Sequence, residues 1–85
     1  MRFYSVKNRF TDSFNTPFPA ENDATAIYTT RMMINQQHDP AIIPEDYSLH
    51  FVGEFDPSSG MFTGEPRDLV DDCTKLVRKK EVNNE

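Results

Sequence analysis

The chain has 85 residues, a formal net charge of −5, and 27% charged against 36% hydrophobic residues. A chain of this length forms one small domain with a thin core, which excludes a multidomain enzyme built around a large enclosed pocket. Seven Phe and three Tyr argue against general disorder. We therefore expect a single domain over residues 1–82, followed by a frayed end at residues 83–85.

The chain offers few covalent or metal-based means of stabilising a thin core. Cys73 is the single cysteine, so an internal disulfide is impossible, and the two histidines, His38 and His50, do not form zinc-ligand spacing with it. Association is the remaining means that small domains commonly use. The sequence therefore predicts a homodimer without metal or cofactor.

Neither end of the sequence carries a targeting pattern. Arg2 is not followed by the apolar run of a signal peptide, and no stretch approaches the ~20 apolar residues that span a bilayer. We expect a cytoplasmic protein without a membrane partner.

The N-terminal third predicts a strand and then an irregular connection. Residues 2–8 are rich in aromatic and β-branched side chains, which favours a first strand. Residues 10–18 read as irregular, and Pro17 and Pro19 should keep the end of this segment extended. Two aromatic side chains should hold the connection to the core, namely Phe14 and Phe18.

The next segment predicts an amphipathic helix. Asn22 or Asp23 is a suitable N-cap, and the pattern continues to about Gln37 before His38 and Pro40 end it. The side chains predicted to face the sheet are Ala24, Ile27, Tyr28 and Met32. Those predicted to face outward are Thr25, Thr29, Thr30, Arg31 and Asn35. The apolar stripe is widened by Met33 and Ile34, so that Met32, Met33 and Ile34 form either a dimer surface or the flank of the core.

Residues 47–55 show the alternation of a half-buried strand. The side chains predicted to face inward are Tyr47, Leu49, Phe51 and Phe55, and those predicted to face outward are Ser48, His50 and Glu54. Residues 56–60, Asp-Pro-Ser-Ser-Gly, predict a tight turn. A short third strand at residues 61–63 should then complete a hairpin, with Gly64 and Pro66 closing the sheet region.

The tail predicts a second helix. Leu69, Cys73, Leu76 and Lys80 recur at spacings of four, three and four, and Pro66 suits the first helical turn. Acidic residues then lie near the helix N-terminus and basic residues near its C-terminus, as the helix dipole favours. The order strand–helix–strand–strand–helix predicts an α+β domain with both helices on one face of a small antiparallel sheet.

Signals for catalysis and for metal binding are weak. Cys73 falls on the apolar stripe of the tail, where a free cysteine is usually a packing residue, and no nucleophile turn or phosphate-binding glycine loop is present. The stretch from Asp56 to Glu65 does not have the spacing of a calcium loop. We expect a nonenzymatic protein with no bound metal.

Basic residues next to aromatic ones raise the possibility of DNA binding. Single-strand binders combine cations with aromatic stacking platforms. The predicted DNA-binding residues are Arg2, Tyr4, Lys7, Arg9, Lys75, Arg78, Lys79 and Lys80. The net negative charge opposes phosphate contact. In the competing interpretation the aromatic rings are buried, the first cations keep an edge strand soluble, and the basic tail is ordinary helix-end chemistry.

Several segments in order resemble those of one small viral family. They are Arg2-Phe3-Tyr4-Ser5-Val6, Thr16-Pro17-Phe18, Asn22-Asp23-Ala24-Thr25-Ala26, Pro44-Glu45-Asp46-Tyr47-Ser48-Leu49 and Gly53-Glu54-Phe55-Asp56. Over residues 1–63 the chain resembles the small nonstructural protein of gokushoviruses, single-stranded DNA phages of the microvirus group. The resemblance implies a protein of the infected host cytoplasm that assists viral DNA synthesis or packaging, and it supplies no catalytic residue.

Two functions remain open from the sequence. The first is weak, sequence-independent binding of single-stranded DNA through the basic clusters. The second is a protein-interaction adaptor that contacts the replication initiator or the assembling capsid without touching DNA. In the second case the contacts would be the acidic middle segment and the apolar residues Met32, Met33 and Ile34.

Overall fold

The structure is a computed structural model that describes residues 1–36 and 43–77. Its elements are β1 (Arg2–Asn8), β2 (Ser13–Phe14), β3 (Phe18–Ala20), α1 (Asp23–Gln36), β4 (Tyr47–Asp56) and β5 (Met61–Val70). Two 3₁₀ turns, at Pro44–Asp46 and Cys73–Leu76, precede β4 and follow β5. The predicted α+β class is confirmed, with one helix and a curled antiparallel sheet that forms a half-barrel.

All five strands belong to one antiparallel sheet. β1 pairs along one edge with β4, and β4 pairs in turn with β5. The other edge of β1 is shared, because Lys7 is opposite Phe14 in β2 while Tyr4 is opposite Phe18 in β3. The segment predicted to be irregular therefore contains two short strands, which pair with an edge of β1 that would otherwise have unsatisfied backbone groups.

The core lies between the sheet and α1 in two connected clusters. The first contains Tyr4, Val6, Ala26, Leu49 and Phe51. The second contains Ile34, Cys73 and Leu76, and Ile27, Tyr47 and Val70 contact both clusters. The prediction that Cys73 is a packing residue is confirmed, since its side chain is fully buried.

The buried face of α1 differs from the predicted face. Ala26, Thr30 and Ile34 are buried at four-residue spacing, whereas Ala24 and Tyr28 are exposed. The Thr30 hydroxyl donates to the Ala26 carbonyl at 2.9 Å, so a polar side chain enters the core with its hydrogen bond satisfied inside the helix. Hydrophobicity alone missed this face because Thr30 counts as polar. The predicted end of the helix at Gln37 lies outside the described residues.

The predicted tail helix beginning near Pro66 is wrong. Residues 61–70 form β5, a strand as long as β4, and only a 3₁₀ turn at Cys73–Leu76 follows it within the described part of the chain. The 4-3 spacing of Leu69, Cys73 and Leu76 arises because the end of β5 contacts the first core cluster and the following turn contributes to the second. Pro66 is tolerated because β5 is an edge strand in the described sheet.

An irregularity in β4 changes which residues share a face. The register shifts between Phe51 and Gly53, so that Phe51 is opposite Tyr4 and Gly53 is opposite Phe3. Adjacent residues of β1 point to opposite faces, and the bulge therefore reverses the alternation beyond Phe51. Phe55 consequently lies outside the core that it was predicted to join.

Candidate nucleic-acid interface

The first predicted cation, Arg2, is held by neighbouring side chains. Its Nη2 lies 3.0 Å from Asp23 Oδ1, and its Nε donates to the Tyr4 hydroxyl at 2.9 Å. Its guanidinium carbon lies 4.5 Å from the centroid of the Phe51 ring. Arg2 is half-buried, and its charge is already balanced by the first residue of α1.

A second guanidinium meets the same carboxylate and the same ring. Arg67 Nη2 lies 3.5 Å from Asp23 Oδ2, and the Arg67 guanidinium carbon lies 4.8 Å from the Phe51 centroid. Hydrogen bonds from Tyr4 and then Arg2 lower the pKa of Asp23, with a further contribution from the charge of Arg67. The sequence did not indicate this partner of Asp23 because Arg67 was assigned to a helix.

Tyr4 cannot stack on a nucleotide base, and its predicted place among the DNA-binding residues is wrong. Its ring is fully buried against Phe18 and Phe51, with centroid distances of 6.1 and 5.5 Å. Its hydroxyl donates to Asp23 Oδ1 at 2.7 Å. Burial raises the pKa of this phenol, so that it remains a neutral donor at physiological pH.

Two exposed aromatic residues lie beside two cations at the turn between β1 and β2. Phe10 is 85% exposed, and Phe14 is half-exposed. Lys7 Nζ lies 5.5 Å from the centroid of the Phe14 ring and 3.2 Å from Asp12 Oδ1. We call Lys7, Arg9, Phe10 and Phe14 the hairpin patch.

The local backbone explains why Phe10 projects into solvent. The Asn8 side-chain oxygen accepts from the backbone N–H groups of Phe10 and Thr11 at 2.9 and 3.3 Å, which closes a tight turn. Asp12 then adopts a φ of 57°, in the left-handed region that Asp tolerates better than most residues. Arg9 is anchored to the chain by its Nη2, which donates to the Glu45 carbonyl at 2.6 Å. Its charge also contributes to lowering the pKa of Asp72, although the two side chains do not form an ion pair in the described part of the chain.

His50 is buried, contrary to the prediction that it faces solvent. Its Nε2 lies 2.8 Å from Ser48 Oγ, its Nδ1 lies 3.0 Å from Asp68 Oδ1, and its ring centroid lies 5.2 Å from that of Phe14. Burial lowers the pKa of His50 and outweighs the opposing attraction of Asp68, which is largely solvated and therefore weakly effective. The side of the sheet that alternation assigned to solvent is thus partly covered.

Ser48, His50 and Asp68 have the hydrogen-bond connectivity of a hydrolytic triad. Ser48 is only 4% exposed, however, and other residues line both the cavity at the turn end of the β4–β5 hairpin and the cavity between α1 and the 3₁₀ turn at Cys73–Leu76. A hydroxyl buried to this extent is poorly placed to attack a substrate. The arrangement is better explained as satisfaction of buried polar groups.

The remaining predicted site residues are dispersed. Lys75 Nζ pairs with Asp71 Oδ1 at 2.7 Å across one turn, and Arg78, Lys79 and Lys80 lie outside the described residues. Ile34 is buried in the second core cluster, in agreement with the alternative that it belongs to the flank of the core. Met33 is exposed and Met32 is half-buried, which leaves these two residues available for a dimer surface.

Two cavities open on the described surface. One of about 460 Å³, at the turn end of the β4–β5 hairpin, carries the acidic side chains of Glu54, Asp56 and Glu65. The other, of about 590 Å³, lies between α1 and the 3₁₀ turn at Cys73–Leu76 and includes Tyr28 and Arg31.

Residues 1–36 and 43–77 lack two further kinds of functional feature, a metal-binding cluster and a membrane-spanning helix. This part of the chain contains no group of three or more His, Cys, Asp or Glu side chains that could hold a metal ion. It also contains no helix long and apolar enough to cross a membrane. Burial raises the pKa of Cys73 to about 11, so that this thiol stays protonated and is a poor nucleophile or ligand at neutral pH.

Comparison with known proteins identifies the chain at family level. The sequence model of the Phage ORF5 protein family matches residues 1–76. No curated protein and no solved structure shows a significant match.

Proposed function

The chain belongs to the Phage ORF5 protein family, and from that premise we propose that it is a gokushovirus nonstructural protein. In this proposal it assists synthesis or packaging of the single-stranded DNA genome in the host cytoplasm. It acts without catalysing a reaction, through weak contact with single-stranded DNA that is independent of sequence. The resemblance of residues 1–63 to gokushovirus proteins supports the biological setting, and the hairpin patch supports the contact.

The observation that carries the DNA proposal is the exposure of Phe10 beside Arg9. An aromatic ring that is 85% exposed has few packing contacts, so it contributes little to the core. A base stacked on such a ring contributes about 1–3 kcal/mol, and nearby cations hold the backbone. Phe14 offers a second ring, and the Lys7 ammonium group lies 5.5 Å from the centroid of this ring.

The charge distribution makes this contact weak. The hairpin patch supplies two cations, Lys7 and Arg9, and Lys7 forms an ion pair with Asp12. Two phosphate contacts on a single strand give a slope of about −1.4 for the logarithm of affinity against the logarithm of salt. The net charge of −5 adds repulsion at low ionic strength.

Fluorescence anisotropy of a labelled ~30-nucleotide strand tests the proposal at low and moderate salt, because phosphate contacts appear in the salt slope. We expect Phe10→Ser and the double variant Lys7→Glu/Arg9→Glu each to weaken binding. Met61→Ser removes a comparably exposed apolar side chain from β5 and should leave affinity unchanged. Equal affinity in wild type and both patch variants would remove the hairpin patch from the proposal.

A second candidate function is the adaptor, which the pairing of cations favours. Arg2 and Arg67 share Asp23, and Lys75 pairs with Asp71, so these charges are already partly neutralised within the fold. The acidic cavity beside the exposed Met61 would then contact a basic segment of the replication initiator or the capsid. If this is correct, Glu54→Lys/Glu65→Lys abolishes recovery of viral partners from infected cells while single-strand affinity does not fall.

We also propose that the chain forms a homodimer, because a thin core is commonly supplemented by association. Met33, with Met32 beside it, is the part of the predicted surface that remains accessible. Light scattering coupled to size-exclusion chromatography should give a dimer mass for the wild type and a monomer mass for Met33→Lys. A monomeric wild type at high micromolar concentration would rule this interface out.

A further inference from the structure

The groove between α1 and the 3₁₀ turn at Cys73–Leu76 is bordered by aromatic and charged side chains, whereas the core cluster beside it is apolar. Tyr28 is 59% exposed on one wall, and Arg31 follows one helical turn later on the same wall. Lys75 and Val77 lie on the opposite wall. An aromatic ring, two cations and an apolar surface therefore border one opening of about 590 Å³.

The walls of this groove are held together by the second core cluster. Ile34 of α1 packs with Cys73 and Leu76 of the turn, and all three are buried. The Asn35 side-chain amide donates to the Leu76 carbonyl at 2.8 Å, which ties the helix directly to the turn. The spacing between Tyr28 and Lys75 is thus set by packing and does not depend on a ligand.

We propose that this groove binds one nucleotide unit of single-stranded DNA, with its base stacked on Tyr28 and its phosphate held by Arg31 and Lys75. This inference rests on the proposed DNA function and adds a second contact site, remote in sequence from the hairpin patch. A groove of about 590 Å³ lies within the range of small-ligand sites. Stacking on an aromatic face does not depend on base identity, in agreement with sequence-independent binding.

The charges in the groove favour a phosphate as the occupant. Arg31 has no carboxylate partner among the described residues, so its guanidinium is available to an anion. Lys75 pairs with Asp71, but both side chains are about two-thirds exposed. Solvated pairs of this kind are weak and can exchange a carboxylate for a phosphate oxygen at little cost.

Intrinsic tyrosine fluorescence gives a direct readout, because the chain has no tryptophan. Tyr4 is buried and Tyr47 is half-buried, so Tyr28 is the tyrosine on which a base can stack. We expect a pentathymidylate to quench this fluorescence in a saturable way. Tyr28→Leu should abolish the quenching and weaken binding of the labelled pentanucleotide roughly tenfold, and Arg31→Gln should weaken binding to a similar extent.

Two variants separate stacking and charge from a structural effect. Tyr28→Phe keeps a stacking surface and should retain the anisotropy affinity of the wild type although the quenching signal is lost. Arg31→Lys keeps the positive charge and should recover most of the affinity lost in Arg31→Gln. Thermal melting should show all four variants folded, because both side chains are exposed.

The two sites can fail separately. If the pentanucleotide does not quench, or binds Tyr28→Leu as tightly as wild type, the groove proposal is overturned, and Phe10-dependent binding of the 30-nucleotide strand would still support the hairpin patch. Quenching that survives Phe10→Ser supports the groove. If Phe10→Ser leaves the affinity of the longer strand unchanged while Tyr28→Leu lowers it, the hairpin patch fails and the groove stands.

Discussion

Asp23 is the residue at which three elements meet. Its carboxylate accepts from Arg2 and Tyr4 of β1 and lies within 3.5 Å of Arg67 of β5, while its own backbone begins α1. A carboxylate at a helix N-terminus is also favoured by the helix dipole. One side chain thereby links the helix start to the inner strand β1 and to the edge strand β5. The two guanidinium groups that it binds are less available to other ligands.

Removing the Tyr4 hydroxyl tests how much the hydrogen bonds around Asp23 stabilise the fold. Tyr4→Phe removes the donor to Asp23 and the acceptor for Arg2 Nε but retains the buried ring, so we expect a loss of about 1–2 kcal/mol in the free energy of unfolding. Urea denaturation measures this change. Tyr28→Phe removes an exposed hydroxyl and should be neutral. Equal stability of the two variants would show that the network contributes nothing net.

At the scale of elements, β4 is the strand on which the sheet depends. It pairs with β1 and β5 over most of its length, and Ser48, Leu49, His50 and Phe51 are all buried. The alternation of apolar and polar residues along β4 predicted that one face of this strand is exposed to solvent. The turn and short strand that follow β1 cover part of that face instead, since Phe14 packs on His50.

Gly53 is the point in β4 where a side chain cannot fit. A Cβ there would lie 2.5 Å from Phe62 Cε1 and 2.5 Å from the Thr63 carbonyl oxygen, and that backbone oxygen cannot move aside without shifting β5. We expect Gly53→Ala to lower the free energy of unfolding by about 1–3 kcal/mol.

Gly64 is the matched control in the facing strand. It is opposite Gly53, and a Cβ at Gly64 would meet nothing within 4 Å. Gly64→Ala should therefore stay within about 0.5 kcal/mol of wild type in the same urea experiment. Similar losses in both alanine variants would mean that strand flexibility matters and the close contact does not.

The elements differ in how far local sequence determines them. The helix start at Asn22-Asp23, the strand beginning at Tyr47 and the turn at residues 56–60 were predictable, because capping and turn chemistry act over a few residues. The start of β5 at residues 61–63 was predicted as a strand, but its second half was predicted as a helix because Leu69, Cys73 and Leu76 recur at helical spacing. Pairing with β4 decided between them, and that pairing is a long-range contact invisible to a local pattern.

At the scale of the whole molecule, the chain is acidic, and most of its described basic side chains form ion pairs with carboxylates. Four described cations have carboxylate partners, namely Arg2, Lys7, Arg67 and Lys75. Arg9 and Arg31 form no ion pair within the described residues, although the charge of Arg9 acts on Asp72, and they lie in the hairpin patch and the groove respectively. Each proposed contact site thus contains one cation outside the ion pairs, and Arg31 in the groove is the more available of the two.

Acid should destabilise the protein in two separate ranges of pH. The pKa of His50 is lowered by burial, so the unfolded chain binds its proton more readily, and this stability is present above the ordinary pKa of about 6.5 and is lost as pH falls below it. The pKa values of Asp23, Asp56, Asp71 and Asp72 are lowered by hydrogen bonds. Their contribution is present above about pH 3.9 and is lost at still lower pH.

His50→Gln isolates the first range. Urea denaturation at pH 7.5 and pH 5 should show a smaller drop in the free energy of unfolding for the variant than for the wild type, because glutamine does not titrate. His38 is common to both proteins and cancels in the comparison. An identical drop in both proteins would show that His50 titrates alike in the folded and unfolded states.

The sequence by itself determined the class of fold, the family resemblance, the main strand and its turn, and the packing role of Cys73. These follow from short-range chemistry and from composition. Tertiary structure decided which aromatic rings are available, burying Tyr4 and exposing Phe10 and Tyr28. It also decided that Thr30 and His50 are inside, and that residues 64–70 are a strand. The physical reason is that burial depends on what packs against a side chain, and here the packing partners come from distant parts of the chain.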